Sequence, residues 1–389
     1  MLPISVCIIA KNEEKHIAEC LLRLLPFELE IVLVDTGSTD RTIELAQKYT
    51  SRIYHFDWCN DFSAARNYAM SKASHDWILS LDCDEYVESL DMKSLLQCME
   101  QYPDCAGRIL IRNRFTENGQ TSYEQVWVSR FVNRQYYRFE GSVHEQLVPS
   151  TGFASGNLPI PDELHRRQSD ASGEVLSGQA AAQNNDGICI PVKRVYNAPV
   201  RVLHVGYDGS ETEMNEKCRR NILLLEKELQ ESGADPYLYY QLGQSYRKLH
   251  NYETAYQYFD LGLSMDVDPA LDYVQTMVES YGYTLLDLKR SQDALNLLGV
   301  YDTFAVRADF VFLMGLIYMN NGLFEEAIGE FKKAATMGEF AVDGVNSYKA
   351  NYNIGVIYEC TGHADEARKA YRKCGAYEPA KSRLKQLNS

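Results

Sequence analysis

The sequence predicts an α/β domain with a parallel sheet, followed by an array of helix pairs. In the first half, apolar runs rich in β-branched residues alternate with amphipathic stretches, which is the pattern of successive β-α-β units. In the second half, glycine, aromatic residues and alanine recur at a similar spacing, which is typical of helical repeats. A length of 389 residues is also too great for one ordinary core. We assign residues 1–210 to the α/β domain, 211–235 to a linker helix and 236–389 to the repeats.

Composition narrows the class of protein. With 45% hydrophobic and 24% charged residues the chain is expected to be globular and soluble, and a net charge of -15 disfavours nonspecific binding to nucleic acid or to an anionic membrane. The ten cysteines include no CxxC pair and no zinc-type spacing, so reduced thiols are expected. The apolar start at residues 4–10 is too short to span a membrane and lacks a basic leader. A cytoplasmic location without a transmembrane segment is therefore predicted.

The first elements follow in β-α-β order. Residues 4–10 form a β-branched run typical of a strand buried on both faces, and Asn12 is expected to cap a helix that carries Glu13 and Glu14 in its first turn. Pro26 is expected to end that helix. Its predicted apolar stripe consists of Ile17, Leu21, Leu22, Leu24 and Leu25.

A second strand over residues 30–34 ends in Asp35, and a glycine turn leads from there into a helix N-terminus. In α/β folds, ligands bind beyond the carboxyl ends of such strands. The remaining elements predicted in this part are a strand around residues 52–56, a helix over 62–72, a strand into Asp82 and a helix ending near Pro103.

Three carboxylates follow the strand at residues 78–81. Asp82, Asp84 and Glu85 lie within four positions, and unpaired acids at this density would repel one another and resist desolvation. A hard cation such as Mg²⁺ or Mn²⁺ would account for them, and both metals often share their oxygen ligands with substrate phosphates. A nucleotide-bearing substrate is therefore the first hypothesis. The alternative is a solvated turn before an acidic helix N-terminus.

The usual nucleotide fingerprints are absent, since the chain has no GxGxxG after the first strand and no GxxxxGK[ST]. Four separated strings instead carry a resemblance, namely SVCIIAKNEE, VDTGSTDRT, DFSAARNYAM and WILSLDCDE. In this order and spacing they resemble the family 2 glycosyltransferases of GT-A fold. The resemblance implies an α/β nucleotide-diphospho-sugar transferase domain of Rossmann-like type, with a DxD motif at Asp82 and Asp84.

The same resemblance implies roles for individual residues. Asp35 would contact the base or ribose of the nucleotide sugar, Asp82 would lie near the ribose, and Asp84 would bind the metal. Arg66 would neutralise the charge of the substrate. Asp35 as a turn cap and Arg66 as a surface ion-pair partner are the plainer readings. The other positions expected in the nucleotide-sugar site are Ala10, Asn12, Glu13 and Cys83.

The acceptor side of the domain offers a candidate base. An inverting transfer needs a group that takes the acceptor's proton, and the Gly141–Glu145 segment resembles a motif of repeat-bearing members of the family. Glu145 is the candidate, with His144 as an alternative or as a positioning group. A structural strand-turn pair is the competing reading. Arg130, on a predicted strand, could pair with a phosphate or an acid, or could face solvent.

Two further groups complete the predicted site. His204 follows a β-branched strand and precedes a glycine turn, and in related GT-A enzymes a histidine in this place can be the remaining metal ligand. Lys217 and Arg220 lie three apart on one helix face and could reach the leaving diphosphate, or could be ordinary surface residues. Residues 150–195 have the composition of a mobile loop, either a lid over the acceptor or a passive insertion.

The second half matches the tetratricopeptide pattern. Four alanines are each preceded, twelve residues earlier, by a glycine, and four such helix pairs are enough to bury a continuous core. The pairs of glycine and alanine are Gly243 and Ala255, Gly282 and Ala294, Gly315 and Ala327, and Gly355 and Ala367. Stacked helix pairs form a groove that binds peptides or a second copy of the chain. The layout resembles the sublancin-type peptide S-glycosyltransferases, which modify a bacteriocin precursor and dimerise through their helical half.

The sequence thus predicts a metal-dependent inverting glycosyltransferase that moves a sugar from a UDP-type donor, such as UDP-glucose, to a cysteine, serine or threonine of a peptide or protein. A bacterial cytoplasmic homodimer is expected. Two alternatives stay open. One is transfer to a saccharide or lipid-linked glycan of the cell envelope, and the other is a noncatalytic repeat scaffold. The intact pair of Asp82 and Asp84 together with Asp35 disfavours the scaffold.

Overall fold

The structure is a computed structural model, and it describes residues 2–117, 120–150, 194–206 and 211–388. The chain divides into two compact units. The sheet unit comprises Met1–Thr121 and Val126–Asp208, and the helical unit comprises Ser122–Gln125 and Gly209–Ser389. Residues 151–193, which contain nearly all of the predicted mobile loop, lie outside the described residues. The predicted linker helix is counted with the helical unit.

The sheet unit contains the strands that the first half predicts, together with some that it does not. The described strands are Ile4–Ala10 (β1), Glu30–Asp35 (β2), Ile53–His55 (β3), Trp77–Asp82 (β4), Glu85–Leu90 (β5), Ala106–Glu117 (β6), Gln120–Asn133 (β7), Tyr137–Glu140 (β8), Gln146–Pro149 (β9) and Val195–His204 (β10). Within the described residues they form an eight-stranded sheet in the order β3-β2-β1-β4-β7-β6-β10-β5 and a two-stranded sheet of β8 and β9. The α/β prediction is confirmed.

The register of the central strands aligns the ends that matter for function. β1 lies between β2 and β4 and is parallel to both, with Ala10 opposite Asp35 and Ile9 opposite Asp82. Since parallel strands end at the same edge of a sheet, these residues share one edge. At the far end of the sheet, β10 pairs with β5 so that His204 lies opposite Glu85. We call the edge at which the carboxyl ends of β1, β2, β4 and β10 lie the carboxyl edge.

Helices cover the sheet and build the second unit. The described α-helices of the sheet unit are Ile17–Leu24 (α1), Thr42–Ala46 (α2), Phe62–Lys72 (α3) and Met92–Gln101 (α4). Those of the helical unit are Glu211–Ser232 (α5), Pro236–Lys248 (α6), Tyr252–Leu263 (α7), Asp272–Asp287 (α8), Ser291–Ala294 (α9), Tyr301–Phe304 (α10), Ala308–Asn320 (α11), Phe324–Ala334 (α12), Tyr348–Cys360 (α13), Ala364–Arg372 (α14) and Glu378–Asn388 (α15). No described helix is long and apolar enough to cross a membrane.

The predicted cap of the first helix is wrong. α1 begins at Ile17 and its N-cap residue is His16, which makes no side-chain capping bond. Asn12 adopts a left-handed backbone with φ 56°, which Asn tolerates better than most residues but which does not lead into a right-handed helix. Its side-chain oxygen accepts a hydrogen bond from the N–H of Thr39 at 2.8 Å, and its own N–H donates to Ser38 Oγ at 3.0 Å. Asn12 therefore holds the turn that follows β2.

The apolar stripe of α1 is narrower than predicted. Leu22 is 49% exposed and Leu25 is 46% exposed, whereas Leu21 and Leu24 are buried. The helix ends at Leu24, and Pro26 lies in a short 3-10 turn over Leu25–Phe27. Leu22 lies one position from the core-facing residues, and its side chain points away from the sheet.

Sequence reasoning missed β5, which matters for the acidic cluster. β5 begins at Glu85, immediately after the two-residue turn formed by Cys83 and Asp84, and it pairs with β10 in antiparallel fashion. Its side chains are buried only at Glu85, Val87 and Leu90. The run of acids hides the strand because acidic residues are depleted in strands. The acidic cluster is therefore a two-residue turn that joins β4 to β5, which are not neighbours in the sheet, and it does not begin a helix.

The helical unit shows why glycine recurs in the repeats. In three of the four predicted pairs a side chain on the glycine would collide with the aromatic ring of the paired helix. These contacts join Gly243 to Phe259, Gly315 to Phe331 and Gly355 to Tyr371. The absence of Cβ lets the two helices of a pair approach closely. The tetratricopeptide prediction is confirmed for these pairs.

The second predicted pair departs from the pattern. α8 is continuous, but the segment expected as its partner consists of the four-residue α9, a 3-10 stretch over Leu295–Val300 and the four-residue α10. Gly299 lies in this segment, and no atom would approach a Cβ there within 4 Å. It thus weakens the helix without allowing a closer packing, since glycine is about 1 kcal/mol worse than alanine in a helix. The prediction of four regular helix pairs is wrong at this position.

A buried acid lies on α8 in the helical unit. Glu279 is 8% exposed and its Oε1 accepts a hydrogen bond from Arg307 Nη2 at 3.1 Å. Burial raises the pKa of Glu279 from 4.5 to about 7; the charge of Arg307 opposes this effect, while the charges of Asp309 and Glu124 add to it. The folded protein therefore holds this proton more tightly than the unfolded chain does.

The free energy of unfolding is expected to fall as the pH rises from 4.5 to about 7. The contribution of the Glu279 proton is fully present below pH 4.5 and is lost as the pH approaches 7, an effect on the order of 3 kcal/mol. In urea unfolding, the free energy of unfolding of Glu279→Gln should change less between pH 5 and 7.5 than that of the wild type, because the amide cannot ionise. The exposed Glu253→Gln serves as the control and should keep the wild-type slope. Equal slopes in all three proteins would contradict the prediction.

Candidate active site at the carboxyl edge of the sheet

Asp35 ends β2 and is 8% exposed. Its carboxylate accepts hydrogen bonds from the N–H groups of Gly37 and Ser38 at 3.1 Å, and its Oδ2 lies 3.7 Å from Nδ1 of His55. Gly37 has φ 101°, a backbone that glycine adopts without strain. Asp35 thus acts as the cap of its own turn, and its contact with a nucleotide stays a prediction.

The β1 end of the same edge carries three of the predicted site residues. Ala10 is buried, and its carbonyl accepts from the N–H of Thr36 at 2.9 Å. Asn12 bonds the turn after β2, as described above, and the N–H of Glu13 donates to Thr42 Oγ1 at 2.7 Å. The two βα turns are therefore held together side by side. These two turns lie next to Asp35 at the carboxyl edge.

A buried arginine joins two of the predicted site residues. Arg66 on α3 is 4% exposed; its Nη2 donates to Asp82 Oδ1 at 2.7 Å and its Nε donates to Glu145. Its Nη1 also donates to Ser80 Oγ at 3.2 Å. The guanidinium lies 5.6 Å from the centre of the Phe139 ring. The structure therefore brings Arg66, Asp82 and Glu145 together, although they are distant in sequence.

Arg130 on β7 is a second arginine in this cluster. Its Nη2 lies 3.1 Å from Asp82 Oδ2 and 3.8 Å from Glu85 Oε1, and its Nη1 lies 3.8 Å from Glu145 Oε1. Its Nε is buried and makes no hydrogen bond to the described residues. Of the readings left open for Arg130, the structure supports pairing with acids. Glu85, which was expected only as part of the acidic triplet, also accepts from the N–H of Asp82 at 2.9 Å.

The charges of this cluster set the ionisation of its acids. Burial alone raises the pKa of Asp82, but the charges of Arg66 and Arg130 outweigh it and hold the pKa well below its usual range. Burial and the nearby charge of Asp82 raise the pKa of Glu85. Burial lowers the pKa of Arg66, but the charges of Asp82 and Glu145 raise it by more. Asp82 is therefore a firmly ionised group that two arginines hold in place.

The position of Glu145 follows from how β8 and β9 attach to α3. The side chain of Asn67 accepts a hydrogen bond from the Phe139 N–H and donates one to the Phe139 carbonyl, both at 2.9 Å. The connection between the two strands contains Gly141 and His144, both in the left-handed region at φ 98° and 54°. This turn directs Glu145, whose side chain is 9% exposed, toward Arg66. His144 lies next to it, and Gln146 Nε2 donates to its carbonyl at 3.1 Å.

Asp84 and His204 meet at the end of β10. Asp84 Oδ2 lies 3.4 Å from Nε2 of His204, and Nδ1 of His204 lies 2.9 Å from Asn113 Oδ1. Because an amide oxygen only accepts, Nδ1 carries a proton and Nε2 is the atom that faces Asp84. Burial lowers the pKa of His204, but its hydrogen bond and its charge interaction with Asp84 raise it overall. The two predicted metal ligands are therefore adjacent.

The residues at this point fit a divalent cation that is shared with a substrate. A Cβ on Gly206 would lie 2.6 Å from His204 Nε2 and closer still to Asp84 Oδ2, so glycine keeps the approach to both donor atoms open. Among the residues that the structure describes, no group of three or more His, Cys, Asp or Glu side chains converges on one point. Mg²⁺ is commonly held by one or two protein side chains together with substrate phosphates. Asp84 and His204 match that arrangement.

Three predicted site residues remain, namely Cys83 in the sheet unit and Lys217 and Arg220 in the helical unit. The Cys83 thiol is buried and its Sγ lies 3.5 Å from the carbonyl of Ile9, so only its main chain reaches the edge. Burial raises the pKa of this thiol well above its ordinary value. Lys217 and Arg220 are exposed residues of α5 in the helical unit, and their part in the site stays a prediction.

Comparison with known families identifies both parts of the chain. Residues 5–152 match Glycosyl transferase family 2, and residues 236–268, 308–337 and 348–380 match the Tetratricopeptide repeat. The repeat matches omit the second predicted pair, where the structure has no continuous second helix. These matches define the class, a glycosyltransferase-type α/β domain joined to tetratricopeptide repeats.

Three curated relatives are informative. An uncharacterized glycosyltransferase of Rickettsia conorii is 32% identical over 194 residues, which is 47% of this chain and 68% of the relative. The lipopolysaccharide core biosynthesis glycosyltransferase LpsC of Rhizobium meliloti is 28% identical over 43% of this chain and 64% of its own length. The SPbeta prophage-derived glycosyltransferase SunS of Bacillus subtilis is 24% identical over 66% of this chain and 52% of its own length. The chain belongs to glycosyl transferase family 2, and it spans less than two thirds of the length of LpsC and SunS.

Proposed function

We propose that this protein is a metal-dependent inverting glycosyltransferase that moves a sugar from a UDP-type nucleotide sugar to a side chain of a peptide or protein. One observation carries the proposal. The carboxyl edge places an ionised Asp82, held by Arg66 and Arg130, in the same turn as Asp84, which faces His204. Ligands of open α/β sheets bind at this edge.

Cationic side chains at the edge support a diphosphate-containing donor. Arg66 and Arg130 pair with carboxylates in the structure. Arg66 pairs with Asp82 and Glu145, and Arg130 pairs with Asp82. A guanidinium donates to phosphate oxygens in the same forked geometry that it uses for carboxylates. Exchange of one carboxylate for a donor phosphate would leave the arginine paired. Asp35, at the neighbouring strand end, is the proposed contact for the ribose or base.

Glu145 is the proposed base, and the structure suggests how it becomes available. Its carboxylate accepts from the single Nε–H of Arg66, and that one N–H cannot donate to Glu145 and to a phosphate at once. Movement of Arg66 toward the donor would release Glu145 to take the proton from the acceptor as the acceptor attacks the anomeric carbon. His144 is adjacent in the chain and remains the alternative or positioning group. Asp84 and His204 would hold Mg²⁺ or Mn²⁺, which would offset the charge of the departing diphosphate.

The acceptor is proposed from the repeats and from a relative. Tetratricopeptide pairs stack into binding surfaces. Of the relatives named above, the glycosyltransferase SunS has the longest aligned region, which covers 66% of this chain. A peptide or protein side chain is the first candidate. The name of LpsC favours a second candidate, a saccharide of the cell envelope. We also propose a cytoplasmic homodimer; the described cysteines form no disulfide with one another, which fits a reducing compartment.

Donor binding is expected to raise the melting temperature of the protein only when metal is present. A ligand at a hundred times its Kd stabilises the folded state by about 2.7 kcal/mol, which corresponds to several degrees. Thermal unfolding should be recorded with UDP alone, with MnCl2 alone and with both. Asp84→Ala should lose the additional shift produced by the two together, while the exposed Glu100→Ala on α4 should keep it.

The outcomes separate the three readings. A shift with UDP and MnCl2, followed by mass-spectrometric detection of sugar on cysteine- or serine-containing peptides, supports the proposal. Sugar found only on lipopolysaccharide core oligosaccharide would favour the second candidate. No shift with UDP, GDP or TDP in the presence of MnCl2 would contradict a donor site and favour a noncatalytic scaffold.

A further inference from the structure

The helical unit contains a cavity that is lined by its own residues. Residues on and just after α12, α13 and α14 line an open cavity of about 510 Å³. Its lining consists of Lys332, Ala335, Thr336, Asn351, Ile354, Tyr358, Glu366, Lys369, Ala370 and Lys373. We call it the lysine groove. Its floor is apolar, because Ile354 and Ala370 are buried members of the core between these helices.

The three lysines give the groove an excess of positive charge. Lys332, Lys369 and Lys373 are exposed, and none of them forms an ion pair within the described part of the chain. Glu366 is the sole acid in the lining. Neighbouring cations are used differently, since Arg368 pairs with Asp365 at 2.8 Å and Lys333 donates to the Tyr301 hydroxyl at 2.8 Å. The groove is thus basic in a chain with a net charge of -15.

Helix stability alone does not account for this arrangement. Lysines in a last helical turn interact favourably with the helix dipole, which explains a cation on either α12 or α14. However, Lys369 and Lys373 are four residues apart, and like charges at this spacing destabilise a helix. Lys332 contributes a third positive charge from α12. Three lysines without ion-pair partners therefore line one cavity for a reason other than helix stability. An anionic partner would reduce the repulsion between them.

We propose that the lysine groove binds an acidic peptide segment of a partner protein. Carboxylates of the segment would pair with Lys332, Lys369 and Lys373, and one apolar side chain would cover the floor at Ile354 and Ala370. The volume of the cavity accommodates a few side chains and is within the range of small-ligand sites, so a short extended segment fits better than a folded domain. The proposal does not rest on sugar transfer, because this binding requires neither nucleotide nor metal.

The test uses fluorescence anisotropy with the full-length protein and three labelled dodecapeptides, in which leucine alternates with glutamate, glutamine or lysine. The glutamate peptide is expected to bind at least about tenfold more tightly than the other two, and to weaken as salt screens the charges. Lys369→Glu with Lys373→Glu should weaken that binding by about tenfold or more, since two attractive pairs become repulsive. A matched double variant, Lys289→Glu with Lys385→Glu, changes the net charge equally at exposed sites outside the groove.

A shape variant separates the groove from general electrostatics. Ala335→Leu leaves the charge unchanged and narrows the cavity, so it should also weaken the glutamate peptide, while circular dichroism and the melting temperature verify folding. The proposal is overturned if the glutamate and glutamine peptides bind alike, if the control double variant loses as much affinity as the groove variant, or if Ala335→Leu binds as the wild type does. Binding of UDP with MnCl2 is measured in the same samples, so a failure here is distinguishable from failure of the donor site.

Discussion

Replacing Arg66 by methionine is expected to destabilise the protein by about 3 to 5 kcal/mol and to abolish donor turnover. Arg66 is 4% exposed and is the shared partner of Asp82 and Glu145. Methionine has a similar length but no charge, so two largely buried carboxylates would lose their main counter-charge. Arg130 would remain, with its Nη2 3.1 Å from Asp82 and its Nη1 3.8 Å from Glu145, and could offset part of the loss.

Urea unfolding of three further variants shows whether the effect comes from buried charge. Arg23→Met removes an exposed pair with Glu19 and is expected to cost at most about 1 kcal/mol. Arg66→Met combined with Glu145→Gln should recover part of the stability, because one of the two uncompensated charges is gone. Arg66→Lys keeps a charge but not the forked geometry, so it should remain more stable than Arg66→Met while still losing turnover. The interpretation fails if Arg66→Met is as stable as Arg23→Met.

The two arginines also show how far sequence reasoning reaches. Arg66 and Asp82 were predicted because each belongs to a local string with a recognisable resemblance. The role of Arg130 was left open because it depends on strand pairing, in which β7 lies antiparallel to β4 with Leu79 opposite Phe131. Register between strands that are distant in sequence is specified by tertiary packing and cannot be read from either strand alone.

The turn residues illustrate the opposite error. Asn12 followed by two glutamates is a common helix-start signal, yet the side chain of Asn12 bonds Thr39, which belongs to a turn on another strand. Local rules assume that a polar side chain serves its own segment. At the edge of a parallel sheet, two turns from different strands lie side by side, so the bond across the gap competes with the local cap. Tertiary structure overrode the local preference at this site.

Gly206→Ala is expected to reduce the affinity for UDP in the presence of Mn²⁺ by about tenfold to a hundredfold, while leaving the fold intact. Gly206 is not among the glycines with positive φ, so its backbone is compatible with alanine. The new methyl would lie 2.6 Å from His204 Nε2 and closer to Asp84 Oδ2, and both atoms belong to side chains that can move away. Their displacement would separate the two donor atoms without removing either, which a ligand deletion such as Asp84→Ala cannot do.

Isothermal titration calorimetry of UDP with and without MnCl2 measures this effect, and the melting temperature without ligand measures the cost to the fold. Gly329→Ala on α12 is the matched control, because no atom lies within 4 Å of its Cβ position. It should bind UDP and Mn²⁺ as the wild type does and be slightly more stable, since alanine favours helix by about 1 kcal/mol over glycine. UDP binding without metal should be equally weak in all three proteins, because the atoms nearest to the new methyl belong to Asp84 and His204, the two proposed metal ligands. Wild-type metal-dependent binding by Gly206→Ala would show that the cation, if one is used, is held elsewhere than between these two side chains.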